Sequence, residues 1–137
     1  MTEIKSYIAQ RSINSIHETT VNYLETIYEL ENKIGKVKSA DIHRRMNIAR
    51  PTVSARVKNL SDNGYITIDT NMHIHLTTLG KDMVLQLHEK FECLYIFLIT
   101  IGVKEGQAHE DANKLKHCIS GVTFECIKTF YEAIRFR

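Results

Sequence analysis

Residues 39–80, SADIHRRMNIARPTVSARVKNLSDNGYITIDTNMHIHLTTLG, hold the pattern that decides the fold. Ser39 is suited to cap a short helix that carries Ile42 and Met46 on one face. Asn47-Ile48-Ala49 is a tight connection. Pro51, the only proline in the chain, fits the first turn of the next helix, where its missing N–H costs nothing. In that helix Val53, Val57 and Leu60 fall at i, i+4 and i+7, the spacing of a core-facing stripe. Asn63-Gly64 stops it. Tyr65 to Asp69 and His73 to Thr77 then read as two strands around Thr70-Asn71-Met72, a hairpin. Two short helices across a tight turn, followed by a hairpin, describe a winged helix-turn-helix.

Toward the N-terminus, Thr19 or Thr20 is a candidate cap for a helix with Val21, Leu24, Ile27 and Tyr28 at helical spacing, running to about Glu31 and ended by Gly35. Residues 1–16 mix Ile4, Tyr7, Ile8 and Ile13 with polar residues, and read as a helical arm or a mobile leader. Toward the C-terminus, a long helix is expected from Lys81 to about Thr100, broken by Gly102, with further helices around His109–Cys118 and Thr123–Arg135. No internal repeat or low-complexity tract interrupts the chain. The expected fold is mainly α with a small β wing. It comprises an N-terminal arm (1–16), a winged helix-turn-helix (17–80) and a helical dimerisation domain (81–137).

Composition allows one compact domain or two small ones: 137 residues, 43% hydrophobic and 25% charged. The net charge is only +2, but its distribution is uneven. Between Lys33 and Lys58 stand Lys33, Lys36, Lys38, Arg44, Arg45, Arg50, Arg56 and Lys58 against one acid, Asp41; from Lys81 to Arg137 bases and acids balance. A basic face confined to one segment is the footprint a phosphate backbone requires. The three cysteines, Cys93, Cys118 and Cys126, show no C-x-x-C spacing and read as reduced thiols of a cytoplasmic protein. No long apolar run follows a basic start, so no signal peptide is expected. The apolar stretch Cys93 to Val103 is too short to span a bilayer, and no membrane partner is expected. It is better suited to a core or a subunit contact, and a chain this short gains stability from a partner copy, so a homodimer is expected.

With Val53, Val57 and Leu60 buried, the opposite face of the helix presents Pro51, Thr52, Ser54, Ala55, Lys58 and Asn59, with Arg56 on its flank. Small hydroxyl residues at the start of a recognition helix permit close approach to base edges in the major groove. Thr52 and Ser54 can donate to bases or phosphates, and Arg56 and Lys58 are phosphate or guanine candidates. Arg50 adds charge at a helix N-terminus, where anions are already favoured. In the wing, His73 and His75 share one strand face, which reads as a solvated face or as an H-x-H metal pair.

Thr19-Thr20-Val21-Asn22-Tyr23-Leu24-Glu25-Thr26-Ile27-Tyr28-Glu29-Leu30 resembles the first helix of the diphtheria toxin repressor and manganese transport regulator (DtxR/MntR) family. The match continues in order through Asp41-Ile42, Pro51-Thr52-Val53-Ser54, Leu60, Gly64-Tyr65-Ile66, Leu76-Thr77 and Gly80. It extends to Phe97-Leu98, Ile101-Gly102-Val103, His117 and Ile119-Ser120, covering roughly residues 19–134. The resemblance implies a short, two-domain regulator: a winged helix that binds a double-stranded DNA operator and a helical dimerisation domain. It places DNA-contacting positions on Thr52, Ser54, Ala55 and Arg56; Ala55 stands where a longer polar side chain would reach bases.

The resemblance also implies a divalent transition metal (manganese, iron or zinc) held by six positions, which fall on Asn22, Glu25, Phe91, Asn113, Lys116 and His117. Only Glu25 and His117 are strong ligands, and two rarely hold a divalent ion at cellular concentrations. His88, Glu92 and His109 are candidates for a displaced site. Lys116 is a candidate cation substitute, paired with Glu25 in place of an ion. The leading expectation is therefore a DNA-binding repressor whose metal switch is lost or altered. The alternatives are a metal-dependent repressor with a displaced site, and a winged-helix module that binds protein rather than DNA. An enzyme is not expected: Cys118 beside His117 is no nucleophile–base pair, because adjacent helical residues point about 100° apart.

Overall fold

The computed structural model describes residues 2–135. The elements are α1 (Thr2–Ile34), α2 (Ser39–Met46), α3 (Arg50–Asp62), β1 (Ile66–Ile68), β2 (Ile74–Leu76), α4 (Thr78–Thr100), α5 (Glu105–Cys118) and α6 (Gly121–Arg135). The backbone divides into two compact units, one ending at Val84 and the next beginning at Leu85, inside α4.

The core of the first unit is built from the apolar stripes of three helices and one side of the hairpin. Tyr23, Leu24 and Ile27 of α1 meet Ile42 of α2, Val53, Val57 and Leu60 of α3, and Ile66 and Ile74 of the strands. The i, i+4, i+7 reading of α3 is thus the observed one. Pro51 sits in its first turn, and Gly64 follows it at φ +80°, in the left-handed region that glycine adopts at no steric cost. Asn63 closes the helix by donating both its backbone N–H (3.0 Å) and its side-chain Nδ2 (2.8 Å) to the Asn59 carbonyl.

Three helix starts in the first unit differ from expectation. α1 runs through Thr19 and Thr20 without a break, so neither is a cap; Thr20 is buried in mid-helix. Residues 2–16 are its helical beginning. α2 is capped at Lys38, not Ser39, because the Asp41 carboxylate reaches back to accept the Lys38 N–H at 2.8 Å. Asn47, left-handed at φ 55°, ends α2. α4 begins at Thr78 rather than Lys81, because the Thr77 hydroxyl accepts the Gly80 N–H at 3.2 Å while donating to the Gly64 carbonyl at 2.6 Å.

β1 and β2 pair antiparallel in the register Ile66↔Leu76, Thr67↔His75 and Ile68↔Ile74. The strands are shorter than the sequence pattern by a residue at each end, although Thr77 N–H still bonds Tyr65 O at 3.1 Å and Asp69 N–H bonds His73 O at 3.0 Å. Two ties hold this wing to the helices. The Ile74 N–H donates to Val37 O at 2.7 Å, and the Leu76 N–H donates to the Glu31 carboxylate at 3.1 Å.

In the second unit Leu87, Cys93 and Leu94 of α4, Ala108 and Ala112 of α5 and Phe124 of α6 are buried. Phe97 and Phe130 meet edge to face at 5.7 Å between centroids, and Lys128 pairs with Glu89 at 2.7 Å. α5 starts at Glu105, a turn earlier than its apolar pattern suggests, with an acidic residue in the first turn. α6 starts at Gly121, where the Ser120 hydroxyl accepts the Thr123 N–H at 3.3 Å. No helix among the described residues is long and apolar enough to cross a membrane.

Candidate nucleic-acid interface

α3 is fixed by three residues and open on the rest of its circumference. Val53 and Leu60 have no exposure and Val57 only 4%, whereas Arg50, Pro51, Thr52, Ser54, Ala55, Lys58 and Asn59 are exposed and Arg56 is half-buried. The open side is two surfaces rather than one. Pro51, Thr52, Ala55, Arg56 and Asn59 line a shallow depression of about 520 Å³. Ser54 and Lys58 turn the other way, into a groove of about 260 Å³ shared with Ser39 of α2 and with Met72 and Ile74 of the wing.

The charges of the basic segment are divided. Arg44 is bound to Asp41 at 2.6 Å and Arg45 to Glu29 at 3.2 Å, so both are partly neutralised. Among the described residues, Arg50, Arg56 and Lys58 make no ion pair and keep their charge for an outside anion. Arg56 lies close enough to the buried Tyr23 for its charge to oppose the upward push that burial gives the Tyr23 phenol.

The wing tip is organised by Asp69. Its carboxylate accepts the N–H groups of Asn71 (2.8 Å) and His73 (2.9 Å) and bonds the His75 ring at 2.9 Å. The His73 ring is 3.6 Å away. The His75 bond first, then the His73 N–H, lower the Asp69 pKa to about 2. The two histidines therefore share a face, as their alternation suggests, and their common partner is a carboxylate. The tip holds Met72 at φ 65°, exposed and left-handed. Ser39, Asp69 and Met72 were not among the sequence candidates; Asp69 two to six residues from N–H and imidazole donors was the one available signal.

In the second unit, Phe91 stacks on Tyr95 at 5.9 Å and receives the edge of His109 at 5.2 Å between centroids. The Lys116 Nζ lies 5.6 Å from the centre of the same Phe91 ring. Asn113 Nδ2 donates to His109 Nδ1 at 3.3 Å, and Glu92 accepts the Tyr131 hydroxyl at 3.3 Å.

Residues 15–74 match the family profile described as the iron dependent repressor N-terminal DNA binding domain, and residues 77–137 match its metal binding and dimerisation domain. The chain belongs to the iron-dependent repressor family. It is a transcriptional regulator of that family's DNA-binding type. It is 26% identical to the transcriptional regulator MntR of Escherichia coli O6:H1 over 122 residues, 88% of this chain and 79% of that one. It is 31% identical to the iron-dependent repressor IdeR of Mycobacterium leprae over 109 residues, 79% of this chain but 47% of that one. Among solved structures, ScaR with bound Zn2+ matches with a TM-score of 0.73 at 27% identity, over 82% of this chain and 53% of that one. The chain thus spans about half the length of IdeR and of ScaR.

The donor set of this family member does not fit a divalent metal. Among the described residues no group of three or more His, Cys, Asp or Glu side chains is arranged to hold one. Phe91 and Lys116, which the resemblance places at ligand positions, meet each other through a cation–ring contact, and Asn113 is bonded to His109. Of the displaced candidates, Glu92 is turned to α6 through Tyr131 and His109 is turned to Phe91 and Asn113, so the two do not converge. His88 is half-buried on α4. Asn22 and Glu25, both half-buried on α1, belong to the first unit.

Proposed function

We propose that this chain is a cytoplasmic repressor that binds a double-stranded DNA operator as a homodimer, placing α3 in the major groove. Residues 17–80 serve as the DNA-binding part, with residues 1–16 as an arm continuing α1, and residues 81–137 as the dimerisation part. The carrying observation is the exposed side of α3, where Thr52, Ala55, Asn59 and Arg56 stand together above a fully buried stripe.

The residues divide by reach. Thr52 and Asn59 are hydrogen-bonding groups for base edges, Ala55 offers a methyl suited to the apolar contact of a thymine, and Arg56 and Arg50 neutralise phosphates. Ser54, Lys58 and Ser39 line the groove toward the wing together with Asp62, and it is their hydroxyl and ammonium groups that suit a second backbone strand. Protein binding without DNA is the weaker reading, because three of the four uncommitted charges on α3, those of Arg50, Arg56 and Lys58, are positive against the single acid Asp62 at its C-terminal end.

The test is selection of duplexes from a random pool by the purified full chain, followed by affinity measurement at increasing salt. The reading expects one enriched sequence with an affinity that falls steeply with salt. A pool without enrichment, with chelator and with manganese, iron or zinc alike, overturns it.

A further inference from the structure

The domain that matches a metal binding description is built around a lysine. Lys116 is 7% exposed, so its head does not reach out to bulk water as a lysine on a helix surface does. A buried charge costs stability unless its surroundings compensate it, and an apolar side chain at the same helix position would avoid that cost. Two features of the second unit offset it. The Nζ lies 5.6 Å from the Phe91 centroid, within the range where the negative face of a ring attracts a cation. Lys116 also stands in the last turn of α5, where the helix dipole favours positive charge. Phe91 is in turn held by Tyr95 and His109, so the ring that seats the ammonium is itself fixed.

We infer that the Lys116 ammonium, seated on the Phe91 ring, is a permanent internal cation that takes the place of a divalent ion, so that operator binding by this chain does not depend on added metal. The inference rests on the proposed DNA-binding reading and names the regulation of that site. Lys116 acts as a positioning residue: it touches no DNA, and its charge holds the regulator in its binding-competent state at any metal concentration, so metal has no population to shift.

The test uses the full chain and the duplex it selects. With chelator and then with excess manganese, iron and zinc in turn, the parent's affinity is expected to stay constant within about threefold; a rise of about tenfold or more with any of them overturns the inference. Lys116→Met, of similar length without charge, is expected to lose about tenfold in affinity in chelator while keeping its helical content and oligomeric state, and Lys116→Arg to stay within about threefold. A Lys116→Met protein that binds like the parent overturns it as well. If Lys116→Met does not fold, the parent's metal titration and the Lys116→Arg protein decide. A parent that binds no duplex under any condition counts instead against the DNA-binding reading.

Discussion

Gly80 lies so close to Tyr65 that a Cβ on it would clash with the Tyr65 carbonyl oxygen. The contact joins the start of α4 to the residue before β1, so the hairpin and the helix that leaves it are packed backbone to backbone. Backbone cannot yield as the end of a side chain can. Gly80→Ala is expected to destabilise the protein by roughly 1–3 kcal/mol, the range for overpacking a filled site. Gly106, in the first turn of α5, has nothing within 4 Å of its Cβ position. Gly106→Ala is expected to be neutral or stabilising by up to about 1 kcal/mol. Urea denaturation of both proteins checks the pair, and equal midpoints would contradict the packing argument.

The Asp69 carboxylate is the organiser of the wing tip, and its titration is diagnostic. Its folded pKa is about 2, well below the 3.8 of an ordinary aspartate. A depressed carboxylate contributes stability that is fully present above the unfolded value and is lost as pH falls through the folded one. The side-chain carboxyl signal of Asp69 is therefore expected to show its protonation step only as pH approaches 2. A midpoint at the ordinary aspartate value would show that the two N–H bonds and the His75 bond do not form. Asp69→Asn, which keeps an acceptor but removes the charge, is expected to abolish this titration.

Exposed apolar side chains on the second unit point to association. Leu85, Ile101, Val122 and Phe130 are 44%, 59%, 79% and 43% exposed, and are the candidates for the apolar face on which a partner copy packs. Sedimentation at micromolar concentration is expected to give a dimer, and Val122→Glu with Ile101→Glu to give a monomer of unchanged helical content. A monomeric parent would contradict the assignment.

Much of the first unit is legible in the sequence, for local reasons. Pro51 marks a helix start by its own geometry, the Val53, Val57, Leu60 stripe sets the buried side of α3, and Asn63-Gly64 sets its end. The helix starts that were misread depend on groups elsewhere. Thr77 caps α4 because its hydroxyl is also anchored on Gly64 O. Lys38 caps α2 because Asp41 reaches back. Thr19 and Thr20 are good caps in isolation, yet they lie inside a continuous helix. The open side of α3 was legible as a set of residues but not as two surfaces, since the division is made by the wing folding Met72 and Ile74 beside Ser54 and Lys58. The weakness of the metal ligands was legible residue by residue. That Lys116 rests on Phe91 was not, because the contact joins α4 to α5 across 25 positions of sequence.

Arg56 and Thr52 are expected to separate two kinds of contact. Arg56→Ala removes a charge that neutralises phosphate and is expected to weaken selected and unrelated duplexes alike. Thr52→Ala removes a hydrogen-bonding group near the bases and is expected to cost about 1–3 kcal/mol on the selected duplex and little on unrelated ones. Competition with both duplexes checks this. Identical losses for the two variants would contradict the assigned roles.

Reading of duplex DNA by α3 is checked by the salt dependence of operator affinity in the parent and in Arg56→Ala. Fluorescence anisotropy on the selected duplex is expected to give a log–log slope that falls by about 0.9 for each phosphate neutralised, with Arg56→Ala shallower by about one. A parent whose binding ignores salt, or an Arg56→Ala slope equal to the parent's, would contradict it.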